Sequence, residues 1–161
     1  MRNILRSFAG TGMTVDQSRR VLVVDDDRDV REILFSVLQQ RGIYADCAAN
    51  GREALDLVAQ HPYAVVVLDL MMPEIDGFGV LEALRGSAAM PVVLVLTAAD
   101  VSLIERLDAS LVHGVVRKPF EPDEIADVIA ACAEIRSRSS FETMAIAMML
   151  AGTPLVTFFS R

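Results

Sequence analysis

Tryptophan is absent from this 161-residue chain, aromatic residues make up 6% of it, and cysteine occurs only as Cys47 and Cys132. A core without large rings has to be aliphatic, and a hydrophobic content of 53% supplies one. The two cysteines lie far apart and outside any metal-ligand spacing, which argues against a thiolate metal site and a disulfide framework. Both are expected to be small buried hydrophobes in a reducing compartment, the cytoplasm. Basic residues are scarce: 15 stand against 22 acidic ones, the formal net charge is −7, and no long basic run occurs. Nucleic-acid binding without sequence preference needs clustered Lys and Arg to neutralise phosphates, so direct DNA binding is not expected.

Long hydrophobic runs are also rare. The opening stretch "MRNILRSFAGTGMTVDQSRR" lacks the continuous apolar core of a signal peptide. It has no acidic residue before Asp16, and residues 1–18 read as a flexible leader, or as a start placed ahead of a true first residue at Met13. At the other end, "FETMAIAMMLAGTPLVTFFSR" (141–161) is apolar, but Gly152 and Pro154 interrupt it. The helical piece left is roughly eleven residues, about 16 Å long at 1.5 Å per residue, too short to cross a bilayer. Residues 139–161 are therefore expected to form a hydrophobic extension that packs back on the domain or makes a partner or homodimer contact, its methionines suiting adaptable surfaces.

What is present is a regular alternation. Short aliphatic runs occur at "VLVV" (21–24), "AVVVL" (64–68), "PVVLVL" (91–96) and "LVHGVV" (111–116), with a weaker alternating one at "IYADCA" (43–48). Between them lie helical patterns. In "DVREILFSVLQQRG" the apolar Val30, Ile33, Leu34, Val37 and Leu38 recur at the helix period, and Gly42 ends the segment. "GREALDLVAQHP" places Ala54, Leu55, Val58 and Ala59 on one face before Pro62, and "GVLEALRG", "VSLIERLDAS" and "PDEIADVIAACAEIRSR" behave similarly. Five strand–helix units joined by short loops imply one doubly wound α/β domain, a parallel sheet with helices on both faces. In such folds ligands bind beyond the carboxyl ends of the strands.

Those ends carry a consistent chemistry. The first run ends in Asp25, Asp26 and Asp27, the third in Asp69, the fourth in Thr97 and the fifth in Lys118, followed by Pro119. Parallel strands would gather these carboxylates, one hydroxyl and one ammonium at one edge. Clustered carboxylates repel one another and are relieved by protonation or by a hard cation, with Mg²⁺ the natural occupant. A lysine and a hydroxyl beside such a metal suit an anion, phosphoryl above all. Helix capping accounts for one of the acids, Asp27 or Asp29, but not for Asp69, Thr97 and Lys118 all falling at strand ends.

"VLVVDDD", "VVVLDLMMPEIDG", "VLVLTAAD" and "VVRKPF" together resemble, in order and spacing, the four signature stretches of two-component response regulator receiver domains. The resemblance covers residues 19–138 and is to the stand-alone, chemotaxis-regulator-like kind. It implies a flavodoxin-like fold: a five-stranded parallel sheet of order 2-1-3-4-5 with five helices. It implies that Asp69 is the phosphoacceptor, and that Asp25, Asp26, Asp69 and the backbone carbonyl of Met71 hold Mg²⁺. It also implies that Lys118 and Thr97 bind the phosphoryl group, with a cis bond before Pro119. The donor would be a sensor histidine kinase or a histidine phosphotransfer protein. The output would be contact with a downstream protein target, and the chain would be a regulatory switch rather than an enzyme with turnover. The Pro73 to Gly77 stretch reads as the turn into the third helix, Gly77 supplying the backbone freedom.

One position departs from the family pattern. Three residues before the lysine the family commonly has an aromatic side chain that moves with the threonine; here it is Val115. His113, close by, reads as a loop residue, His61 as a helix-end residue, and Arg117 as a surface residue on the opposite side of its strand from Lys118. Two other readings compete: a receiver-shaped scaffold that is never phosphorylated, and a haloacid-dehalogenase-like phosphatase with Asp25 as nucleophile and Asp27 as acid/base. The second leaves Asp69 without a role.

Overall fold

Four consecutive aliphatic residues with no polar alternation, as in "VLVV" and "VVVL", are stable only where both faces of a strand are covered. That is where the computed structural model, which describes residues 19–87 and 90–138, has them. The elements in order are β1 (Val21–Val24), α1 (Arg28–Gln40), β2 (Ala45–Ala48), α2 (Gly51–Gln60), β3 (Val65–Leu68), α3 (Gly77–Leu84), β4 (Val92–Thr97), α4 (Val101–Ile104), β5 (Gly114–Arg117) and α5 (Pro122–Arg138). The sheet is five-stranded and parallel, in the order β2-β1-β3-β4-β5, as expected. The leader expected at 1–18 and the extension expected at 139–161 lie outside the described residues.

Side chains alternate along each strand, so the sheet carries two cores. Val21, Val23, Val65, Val67, Leu94 and Val116 face α1 and α5, where Leu34, Leu38, Ile129 and Cys132 meet them. Leu22, Val24, Val66, Leu68, Val93, Val95 and Val115 face the other helices and pack with Val80, Leu84 and Ile104. Each fully buried Val or Leu contributes roughly 1.5–3 kcal/mol relative to exposure.

The helix ends are set locally. Asp27 caps α1 by accepting the N–H of Asp29, Asn50 caps α2 by accepting that of Glu53, and Asp76 caps α3 by accepting that of Gly79. Glu53 reciprocates by accepting the N–H of Ala49 at 2.8 Å. At the end of α1, Gly42 takes φ +70°, its N–H donates to Gln39 at 2.9 Å, and that of Ile43 donates to Leu38 at 3.0 Å, a Schellman closure. Pro122 opens α5, where its missing N–H costs nothing.

Several expectations need correction. "VSLIERLDAS" is helical only over Val101–Ile104: the N–H groups of Arg106 and Leu107 donate three residues back, to Leu103 at 3.2 Å and Ile104 at 3.0 Å, a tightening that ends the α-helix. The last strand starts at Gly114 rather than at 111, because the N–H groups of Leu111 and Val112 turn back to the carbonyl of Asp108. Cys132 is buried but Cys47 is exposed, since β2 is an edge strand. Ile33, expected on the packed face of α1, is 44% exposed, and Ala59 is also exposed.

Candidate functional site

The ladder hydrogen bonds run one residue beyond the assigned strand ends. Asp25 N–H donates to Ala48 (3.2 Å), Asp69 N–H to Val24 (2.9 Å) and Lys118 N–H to Thr97 (2.9 Å). The backbone of all three is therefore pinned by the sheet, and strand alternation continues into them. Asp25 follows Val23, Asp69 follows Val67, and Lys118 follows Val116, so all three share the α1/α5 side. Lys118 Nζ then donates to Asp25 Oδ2 at 2.7 Å and to Asp69 Oδ2 at 2.8 Å.

Asp25 and Asp69 are 2% and 5% exposed, whereas Asp26 is exposed. One oxygen from each of these three carboxylates lies within 4.8 Å of the others. Two buried acids thus share one ammonium, leaving excess negative charge. Burial pushes the Asp25 carboxyl above its usual range, against the opposing bonds from Lys118 and the Asp27 N–H. Burial also acts to lower Lys118, but its bonds to Asp25 and Asp69 outweigh this and hold the ammonium above the usual lysine value.

The loop after Asp69 is held closely. Met71 N–H donates to Asp69 Oδ1 at 3.1 Å, and Met71 is itself 57% exposed. Gly77 does not supply the unusual backbone angle that a turn here was expected to need; Glu74 does, at φ +66°. Gly77 is required because it lies against the backbone of Asp69 and Leu70: a Cβ there would stand 2.7 Å from Leu70 Cα. From the other side, Gly51 at the start of α2 abuts Ile75, where a Cβ would come within 2.7 Å of the Ile75 Cβ.

Asp25, Asp26, Asp69 and Lys118 are thus brought together, with Met71 beside them and a cis bond between Lys118 and Pro119. Thr97 is fully buried at the end of the neighbouring strand, and its Oγ1 accepts the N–H of Ala99 at 3.1 Å. Val115 is 1% exposed and packs in the other core with Val95, Ile104 and Leu111. Asp27 is spent on capping α1, Arg117 is exposed, and His61 is the C-cap of α2. His113 lies in the loop before β5, where its Nδ1 accepts the N–H of Val93 at 3.1 Å and its own N–H donates to Val93 O at 2.9 Å.

Two neighbours of the site escaped sequence reasoning. Arg31 on α1 donates through Nη1 to the backbone carbonyl of Asp25 at 2.6 Å. Arg106 stacks on Phe78, 5.5 Å from the ring centroid, closing one side of a groove of about 510 Å³ that Met71, Met72 and Leu103 also line. Neither was legible, because a bond to a carbonyl and a cross-helix stack leave no local pattern.

The all-oxygen donor set, with one carboxylate open to water, fits a hard dication of the Mg²⁺ kind. The family profile described as response regulator receiver domain matches residues 21–130. The response regulator MprA of Mycobacterium tuberculosis is 41% identical over 133 residues, 80% of this chain and 57% of that protein. The probable transcriptional regulator ycf27 of Guillardia theta is 34% identical over 130 residues, 80% of this chain and 51% of that one. The chain thus spans about half the length of the curated relatives it matches. Among solved structures, the response regulator TrrA of Thermotoga maritima in complex with Mg(2+)-BeF has 33% identity and a TM-score of 0.63. The similarity covers 71% of this chain and 98% of that one.

Proposed function

The chain belongs to the response regulator receiver domain family, and from that premise we propose that it accepts a phosphoryl group on Asp69 and thereby switches its contacts with other proteins. One observation carries the reading: a nearly buried Asp69 stands at a strand end, hydrogen-bonded to Lys118 and within reach of Asp25 and Asp26. A sensor histidine kinase or a histidine phosphotransfer protein is the donor. An Asp69 carboxylate oxygen attacks phosphorus, the new O–P bond forms as the P–N bond to the donor histidine breaks, and the electron pair of that bond leaves with the imidazole. The product on the chain is an acyl phosphate.

The chain's residues position and neutralise. Lys118, already donating to Asp69, keeps its ammonium against an incoming oxygen of the phosphoryl group. Asp25, Asp26, Asp69 and the Met71 carbonyl are the groups that would hold Mg²⁺, which when bound supplies positive charge against the transferring group. The Thr97 hydroxyl uses its oxygen for the Ala99 N–H and retains its hydrogen, the group a phosphoryl oxygen would take. Ordering that hydroxyl toward the site would displace the segment after Thr97.

Residues 19–138 form the receiver unit in this reading, a switch in the cytoplasm that makes protein contacts rather than DNA contacts. The name of transcriptional regulator that one of the relatives carries is that protein's. Among the described residues no helix is long and apolar enough to cross a membrane.

The test is incubation with Mg²⁺ and a small acyl phosphate, followed by intact-mass measurement. A labile gain of one phosphoryl group, abolished in Asp69→Asn, is expected. Label on Asp25 or sustained hydrolysis of a phosphate ester would point to a phosphatase, and no gain under any condition would point to a constitutive scaffold.

A further inference from the structure

Every polar group of Asp25 has a partner: its N–H donates to Ala48, its Oδ1 accepts from the Asp27 N–H at 2.9 Å, its Oδ2 accepts from Lys118, and its carbonyl accepts from Arg31 at 2.6 Å. The consequence falls on the next residue. The peptide preceding Asp26 is held through the Asp25 carbonyl by Arg31, and the peptide following it is held through the Asp27 N–H by the Asp25 carboxylate. Both peptide planes flanking Asp26 are therefore fixed, although its own carboxylate is exposed.

Resting on the reading of this site as a phosphoacceptor centre, we infer that Arg31 is a positioning residue for the metal-binding carboxylates: its guanidinium fixes the Asp25–Asp26 peptide so that Asp26 faces Asp69. The placement follows from helix geometry. Arg31 stands in the second turn of α1, and helical side chains lean toward the N-terminus, which brings its guanidinium back over the loop before the helix. Arg31 is half-buried, and its backbone N–H is itself bonded to Asp27 O at 3.2 Å, so the donor is held as well as the acceptor. A guanidinium has a planar set of donors and loses little freedom per bond formed, which suits it to orienting one carbonyl.

Electrostatics alone predicts the opposite sign. A positive charge near three carboxylates opposes a dication, so if Arg31 acted only as a charge its removal would tighten Mg²⁺ binding. Positioning predicts that removal weakens it. The experiment is an amide-shift titration by NMR with MgCl₂ alone at constant ionic strength, on the wild type, Arg31→Met and Arg31→Lys. Urea midpoints in chelator establish that each variant is folded. Arg31→Met is expected to raise the Kd for Mg²⁺ by about tenfold, the lower end of the range for groups supporting metal ligands. Arg31→Lys, which keeps a charged N–H donor, recovers part of that loss.

Unchanged or tighter Mg²⁺ binding in Arg31→Met overturns the inference, as does a loss of stability in chelator with the wild-type Kd retained. The phosphoacceptor reading is tested separately by acyl-phosphate labelling of the wild type. A wild type that binds no Mg²⁺ and takes up no phosphoryl group overturns both. A wild type that does both, beside an Arg31→Met protein with the same Kd, overturns only the role of Arg31.

Discussion

The two faces of the sheet are consolidated to different degrees. On one, α1 and α5 run 13 and 17 residues and are tied by Arg41, which bonds Asp127 at 2.8 Å and Asp123 at 3.1 Å. Asp25, Asp69 and Lys118 lie on this side, each pinned through backbone and side chain. On the other, α4 is a four-residue turn, a groove opens beside Phe78 and Leu103, and the segment after it returns to the sheet through non-helical turns. Thr97 and Val115 belong to this second side. A phosphoryl acceptor needs fixed geometry, whereas a region that reports its state must have somewhere to move. The division of rigid and loosely braced structure between the faces matches that requirement.

Substitutions on either side sharpen this contrast or break it. Lys118→Met leaves Asp25 and Asp69 without their shared cation and is expected to lower stability at pH 7 by about 3 kcal/mol in urea denaturation, the scale for breaking a buried pair. The deficit should shrink in acid, where the carboxylates are protonated. Gly77→Ala drives a Cβ into the backbone of Asp69 and Leu70; overpacking of this kind costs about 2 kcal/mol. It should also slow phosphoryl uptake, which a merely local strain in α3 would not do.

Val115→Tyr tests the reporting side. With a one-turn α4 contributing Ile104 to the same core, the larger ring should be accommodated for about 1 kcal/mol, the low end for overpacking. A cost above that of Gly77→Ala would show the second face to be as tightly built as the first. The smallest effect concerns Asp108, whose bonds to Ser110 and Arg85 hold its carboxyl at about 2, below the ordinary carboxylate range. The unfolded chain takes up the proton first, so the stabilisation is complete above the ordinary carboxylate range and disappears as pH falls toward 2. Asp108→Asn should therefore flatten the acid limb of a urea-midpoint profile by slightly lowering the neutral-pH plateau, with the two proteins converging toward pH 2.

The aliphatic runs that specified β1, β3, β4 and β5 were legible because burial on both faces leaves no room for polar alternation. The acidic site was legible because strand ends gather in one crevice. In the α4 region Val101, Ile104, Leu107 and Leu111 have spacings that read as helical, and Ile104, Leu107 and Leu111 are indeed buried. Periodicity reported which residues face inward, but the i→i−3 bonds of Arg106 and Leu107 decided the backbone. Gly77 was seen as a residue of a turn, yet its cause is a neighbour eight residues earlier in sequence, which no local rule contains. Cys47 was misjudged because sequence does not say which strand is an edge.

The link between His113 and Val93 has a consequence for where a single hydrogen atom sits. A backbone amide can only donate, so Nδ1 must keep its lone pair, and the neutral ring is the tautomer with its hydrogen on Nε2. The imidazole stands in for a strand carbonyl at the end of β4 opposite Thr97, while its own amide completes the rung in the other direction. An imidazolium has two donors and no acceptor, so a second proton removes that rung. One of the two bonds between β4 and the chain entering β5 is thus conditional on the ring's tautomer, at the end of the sheet remote from Asp69.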